Sequence, residues 1–222
     1  MGRQLRLDLD QVAAHHRADF TRSPANEDAL RLLDAWPEWH GRCLALVGPS
    51  GSGKTHLAQA WAEEHEALAW APEADLADVA GRPVLVEDAD RERVDEETLF
   101  HLINMAGAGG GLLLTGREPP SAWPARLPDL RSRLNALPVA QLGEPDDALL
   151  LAVMSKLFRK RHIRAPDDLL VYLLRRMERS VPAARELVAR IDEAALSEGR
   201  PISRALAREL LEDAEDTGDL FD

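Results

Sequence analysis

The 222-residue sequence has a single cysteine, Cys43, so no intrachain disulfide can form and a reduced, cytoplasmic setting is expected. No apolar run approaches the ~18 residues that a membrane span needs, and the opening MGRQLRLDLDQ has no apolar centre of the kind a secretion signal carries. No membrane partner is therefore expected. Positive charge is also short: the formal net charge is −12. A free-standing nucleic-acid binder usually shows a basic footprint, so DNA contact is expected mainly through a partner. There is no internal repeat and no low-complexity tract. His15, His16, His65 and His101 show no spacing with other ligand types that suggests a metal centre. Lysine is the scarcest charge, with Lys54, Lys156 and Lys160 the only three among 27 basic residues. One of them stands in a glycine-rich loop.

What is present is an ordinary globular composition, 45% hydrophobic and 30% charged, long enough to bury a core without covalent staples. Residues 1–24 mix charge with isolated leucines and read as an extended arm. A helical spacing of Leu30, Leu33 and Trp36 covers 26–36, where Pro37 stops it. Short apolar runs at 42–47, 67–71, 83–87, 111–115 and 139–142 read as buried strands, with helical patterns at 55–65 and 96–106 between them. Alternating strands and helices predict an α/β unit with a parallel sheet over 25–143. Gly143 and Pro145 mark a boundary. From there no strand candidate remains, and helices at about 146–161, 166–176, 182–196 and 202–213 predict a small helical lid over 144–222. The tryptophans at 36, 39, 61, 70 and 123 are scattered and read as packing anchors.

The run Gly48-Pro49-Ser50-Gly51-Ser52-Gly53-Lys54-Thr55, followed by His56, satisfies the phosphate-loop pattern. Its glycines let the backbone turn several N–H groups toward one anion, and the helix that follows adds its positive end. Lys54 then supplies a charge for the β and γ oxygens, and the Thr55 hydroxyl a ligand for Mg²⁺. The strand 83–87 delivers two acids, Glu87 and Asp88. In such sites an acid at this strand end holds Mg²⁺ and the next one orients water. The order Glu87 then Asp88 puts the longer acid at the metal and the shorter one at the water, which predicts nucleotide binding with slow intrinsic hydrolysis.

GPSGSGKTHLAQAW resembles the phosphate loop of the DnaA branch of AAA+ proteins. LLLTGREPP resembles that branch's sensor I stretch, LPDLRSRL its arginine-finger segment, and ARELVARID its sensor II helix. The resemblance covers most of the chain, about 20–213, and implies an AAA+ core with a C-terminal helical lid and a bound ADP or ATP. It implies that Arg133 is an arginine finger acting in trans, with Arg131 the rival two residues away. Thr115 falls at or beside sensor I, with Arg117 a structural neighbour, and Arg185 falls at sensor II. Residues 20–26 border the base in this branch. The long N-terminal region of DnaA and the helix-turn-helix domain after its lid have no counterpart in this sequence.

In their place the chain opens with Gln4-Leu5-Arg6-Leu7-Asp8-Leu9. Leu5, Leu7 and Leu9 share one face of an extended strand, and Gln4 can hydrogen-bond a pocket rim. The hexad resembles the peptide that docks on the β sliding clamp. A short DnaA-like core behind such a peptide resembles the DnaA-related family of regulatory inactivators of DnaA. That family implies DnaA and the DNA-loaded clamp as partners. An ATP-driven helicase-loader-like enzyme and a DnaA paralogue that acts by binding alone are the alternatives. A homo-oligomer is compatible with all three. Lys156, Arg159, Lys160, Arg161 and Arg164 form a basic run that reads as a solvated helix face.

Overall fold

The structure is a computed structural model that describes residues 17, 20–91 and 94–218, with side chains to 212. Five strands form a parallel sheet in the order β2-β3-β4-β1-β5. They are β1 (Cys43–Val47), β2 (Leu68–Ala69), β3 (Pro83–Val86), β4 (Gly111–Gly116) and β5 (Val139–Gln141). Strands of a parallel sheet are covered on both faces, which is why β1 and β4 read as unbroken apolar runs rather than alternating ones. Their side chains still alternate. Leu44, Leu46, Leu85 and Leu113 face a core shared with α1 (Glu27–Asp34) and α2 (Lys54–Glu64). Cys43, Val84, Val86, Leu112 and Leu114 face a second core with α3 (Glu96–Gly107) and α4 (Pro128–Ala136). The result is three layers, helix on sheet on helix.

Four more helices follow: α5 (Asp147–Lys160), α6 (Asp167–Leu174), α7 (Val181–Glu198) and α8 (Arg204–Gly218). They share a third core around Met154, Phe158, Leu169, Leu173, Val188 and Ile191. Asp146 caps α5 by accepting from Leu149 N–H at 2.7 Å, and Ser180 caps α7 by accepting from Ala183 N–H at 3.2 Å. The second cap sits beside the phosphate loop and brings the start of α7 over it.

Two elements differ from the sequence reading. The strand expected over 67–71 is only Leu68–Ala69, because it lies at the sheet edge, pairs with β3 alone and is at most half-buried. Pro128–Ala136 is a helix that periodicity did not announce, since only Leu130 and Leu134 are buried on it. Three of the five tryptophans gather in space, while Trp70 and Trp123 pack in the second core. Trp36, Trp39 and Trp61 lie with ring centroids 4.9 to 5.4 Å apart.

Candidate functional site

The loop after β1 is packed from both sides. Gly53 holds φ +97, where a side chain is strained, and a Cβ there would lie 2.9 Å from Phe20. Gly51 holds φ +75, and a Cβ there would lie 2.8 Å from the Ser180 Cβ. The N-terminal segment and the cap of α7 thus press on the same turn. Asn26 stiffens that segment: it accepts from Ser23 N–H at 2.9 Å and donates to the Thr21 carbonyl at 3.0 Å. Lys54, 8% exposed at the first turn of α2, reaches back and donates to the carbonyls of Gly48 at 2.7 Å and Pro49 at 2.8 Å. Burial pushes its ammonium below the ordinary value of 10.5, Asp88 opposes that, and Arg117 adds to it.

A cleft of about 600 Å³ opens along the loop. Ser50, Gly51, Gly53, Lys54, Thr55 and His56 line one side, and Val181, Pro182, Arg185, Glu186 and Ala189 of α7 line the other. Asp88, Arg91 and Arg117 close the end. The fold therefore brings together six loop residues, Asp88 and Arg185 from the sequence-predicted set. Gly48, Pro49 and Ser52 are outside the lining and bond within the loop, Ser52 N–H donating to the Pro49 carbonyl at 3.3 Å.

Glu87 and Thr115 do not line the cleft. The Glu87 carboxylate accepts from Gln59 Nε2 on α2 at 2.8 Å. Thr115 is 2% exposed, and its hydroxyl oxygen accepts from Asp88 N–H at 2.9 Å. This bond fixes Asp88, whose backbone is left-handed at φ +50, so that it faces the cleft. Among the described residues no cluster of three or more His, Cys, Asp or Glu could hold a metal unaided. Thr55 and Asp88 share the cleft, and a hydroxyl plus one carboxylate suits Mg²⁺ completed by phosphates and water.

Arg117 and Arg91 are among the cleft residues that sequence reasoning did not place there. Arg117 follows the carboxyl end of β4, where open parallel sheets put their ligands, and that position was the available signal. Its backbone N–H donates to Asp90 Oδ2 at 2.7 Å. Arg91 stands among acids in a turn, and no local pattern marks it.

Arg131 and Arg133 differ sharply. The Arg131 guanidinium is half-buried and donates to the carbonyls of Ser121, Trp123 and Ala125 at 3.2, 2.8 and 3.3 Å. Glu96 accepts from the backbone N–H groups of Arg126 and Leu127, so residues 121–127 are strapped at both ends. Arg133 is exposed, lies outside the cleft lining, and sits 5.1 Å from the centre of the Phe100 ring. In the basic run, Arg161 pairs with Asp192 at 3.3 Å. Gln4, Leu5, Leu7 and Leu9 lie outside the described residues.

No protein-family model matches the chain. Domain III of the replication initiation protein DnaA from Thermotoga maritima superposes with a TM-score of 0.73 and 19% identity, over 90% of this chain and 97% of that one. AMPPCP-bound DnaA from Aquifex aeolicus gives 0.66 and 15%, over 81% and 65%. In sequence, the chain is 25% identical over 233 residues to an uncharacterized protein of Haemophilus influenzae, covering 95% of this chain and 99% of that one. It is 29% identical over 135 residues to the chromosomal replication initiator DnaA of Geobacter metallireducens. That match covers 59% of this chain but only 30% of the initiator's length. The fold is thus a DnaA-like AAA+ core, a parallel α/β sheet with helices at the C-terminus. In sequence the chain is distantly similar to part of DnaA.

Proposed function

We propose that the chain is a nucleotide-dependent regulator of replication initiation, of the Hda kind, that switches off DnaA. ADP or ATP occupies the cleft with its phosphates on the loop N–H groups and Lys54. Thr55 and Asp88 hold Mg²⁺, and Arg185 draws the helical lid over the nucleotide. The Gln4–Leu9 hexad tethers the molecule to the DNA-loaded β clamp. Arg133 then enters the site of a neighbouring DnaA and neutralises charge developing on its γ-phosphate. The observation that carries this reading is the contrast between the two arginines. Arg131 is committed to three carbonyls of its own chain, while Arg133 is exposed and away from the chain's own cleft. The test is phosphate release from DnaA-ATP with this protein and loaded clamp, each component omitted in turn. Stimulation that survives removal of this protein, or of residues 4–9, would sink it.

Asp88 favours a second reading. It is the acid of the Glu87–Asp88 pair that faces the cleft, as an ATP-driven loader would require for its own hydrolysis. Phosphate release by the isolated protein separates the two: steady turnover supports the loader, slow turnover the regulator.

A further inference from the structure

We infer that the outward face of α6 is a self-complementary contact between two copies of this chain. A groove of about 320 Å³ runs along that helix, far from the loop cleft in its lining. Its residues are ordered by charge. Asp167 and Asp168 stand at the first turn, Val171 at the middle, and Arg175 and Arg176 at the end, with Arg204 of α8 beside them. Asp168, Val171 and Arg175 are spaced to share one stripe of a helix. Val171 is 39% exposed and is one of three large apolar side chains so exposed among the described residues. Tyr172 beside it is only 6% exposed, its ring covered by the guanidinium groups of Arg176 at 4.1 Å and Arg204 at 5.0 Å.

Asp167, Asp168, Arg175 and Arg176 make no ion pair with any described residue. Some arginines of this part find acids, as Arg161 does with Asp192 and Arg179 with Asp147, while Arg159, Arg185 and Arg190, like Arg175 and Arg176, do not. Two acids and two bases at opposite ends of one short helix thus stay unmatched.

A charge order that runs acidic, apolar, basic is complementary to itself when reversed. Asp168 and Arg175 lie seven residues apart, roughly 10 Å along the axis at ~1.5 Å per residue. Two such helices laid antiparallel about a two-fold axis at Val171 bring each Asp168 opposite the other copy's Arg175. That is the isologous arrangement that closed dimers use. A free anion would satisfy the arginines but leave Asp167 and Asp168 facing it, and a basic partner would have the converse fault. A second copy satisfies both ends. One face of an eight-residue helix is small, so the contact is weak and salt-sensitive.

The test is sedimentation of the purified full chain from about 1 μM to about 1 mM, the range a contact of this size would populate. The parent should associate reversibly into dimers, more weakly at high salt. Asp168→Arg and Arg175→Asp change exposed positions and should each keep the folded circular dichroism spectrum, with the melt lowered only slightly by the lost helix-end charge. Each appears twice in a two-fold dimer, so each should weaken association by at least about tenfold. Mixing the two single variants should restore dimers, and so should the double variant carrying both changes on one chain. A parent that stays monomeric throughout overturns the inference. So do single variants that associate like the parent, or a mixture that fails to complement.

Discussion

The hydroxyl of Thr115 accepts a hydrogen bond from the backbone N–H of Asp88 at 2.9 Å and so joins the end of β4 to the acid that faces the cleft. Thr115→Val keeps the shape and removes the acceptor. Leaving that N–H without a partner should cost about 1–3 kcal/mol. It should also release Asp88 from its left-handed backbone, which is strained for a residue with a side chain. The expected outcome is a lower unfolding midpoint together with weaker Mg²⁺-dependent nucleotide binding. Unchanged binding in a destabilised variant would make Thr115 a packing residue only.

Lys54→Ala should abolish nucleotide binding in a folded protein, as read by titration with a fluorescent adenine nucleotide. The parent should also show a pH signature. Burial holds the Lys54 ammonium below 10.5. A bound phosphate favours the charged form and raises that value. In the alkaline interval between the two values, binding therefore takes up a proton. Calorimetry in two buffers of different ionisation enthalpy measures it. Proton release there would contradict the arrangement.

Arg133→Ala should bind nucleotide and clamp normally yet fail to stimulate DnaA, since an arginine finger is worth about 10³–10⁵ in rate. Arg131→Ala should behave in the opposite way. It loses bonds to three carbonyls, which should cost about 1–3 kcal/mol and lower the melting temperature by several degrees. Melting curves beside phosphate-release assays resolve the pair. A stable Arg131→Ala that no longer stimulates DnaA would move the finger to Arg131.

Cys43 should be inert in the native protein. It is 1% exposed, and burial pushes its thiol from 9.0 up to about 12, with Arg133 pulling slightly the other way. Folding favours the neutral thiol, so this contribution to stability is whole below pH 9.0 and is lost as pH rises toward 12. Denaturant midpoints on either side of pH 9.0 should fall more steeply for the parent than for Cys43→Ala. Equal slopes would remove the thiol as the cause.

The sheet and the phosphate loop were legible because their signals are local. An apolar run, three glycines, a lysine and a threonine lie within thirteen residues, 43–55, and need no distant partner to be recognised. What was illegible depends on residues far apart in sequence. Thr115 stands where a strand delivers a side chain to a ligand, yet its hydroxyl is used by Asp88, 27 residues earlier. Arg131 and Arg133 are two residues apart with the same chemistry, and only the path of residues 121–127 separates their surroundings. Trp36 and Trp39 are neighbours in sequence, but Trp61 joins them only when α2 packs on the sheet.

The placement of aromatic residues has an optical consequence. All five tryptophans pack into the two cores of the layered sheet, and the single tyrosine, Tyr172, lies in the core of the last four helices. Light absorbed by indole alone reports on one part of the molecule, and the phenol band of the derivative spectrum, once the indole share is subtracted, reports on the other. Unfolding followed in both signals at once gives coincident curves if the parts melt as one cooperative unit. If the helical part loosens first, the phenol signal moves ahead of the indole signal, with no label and no substitution required.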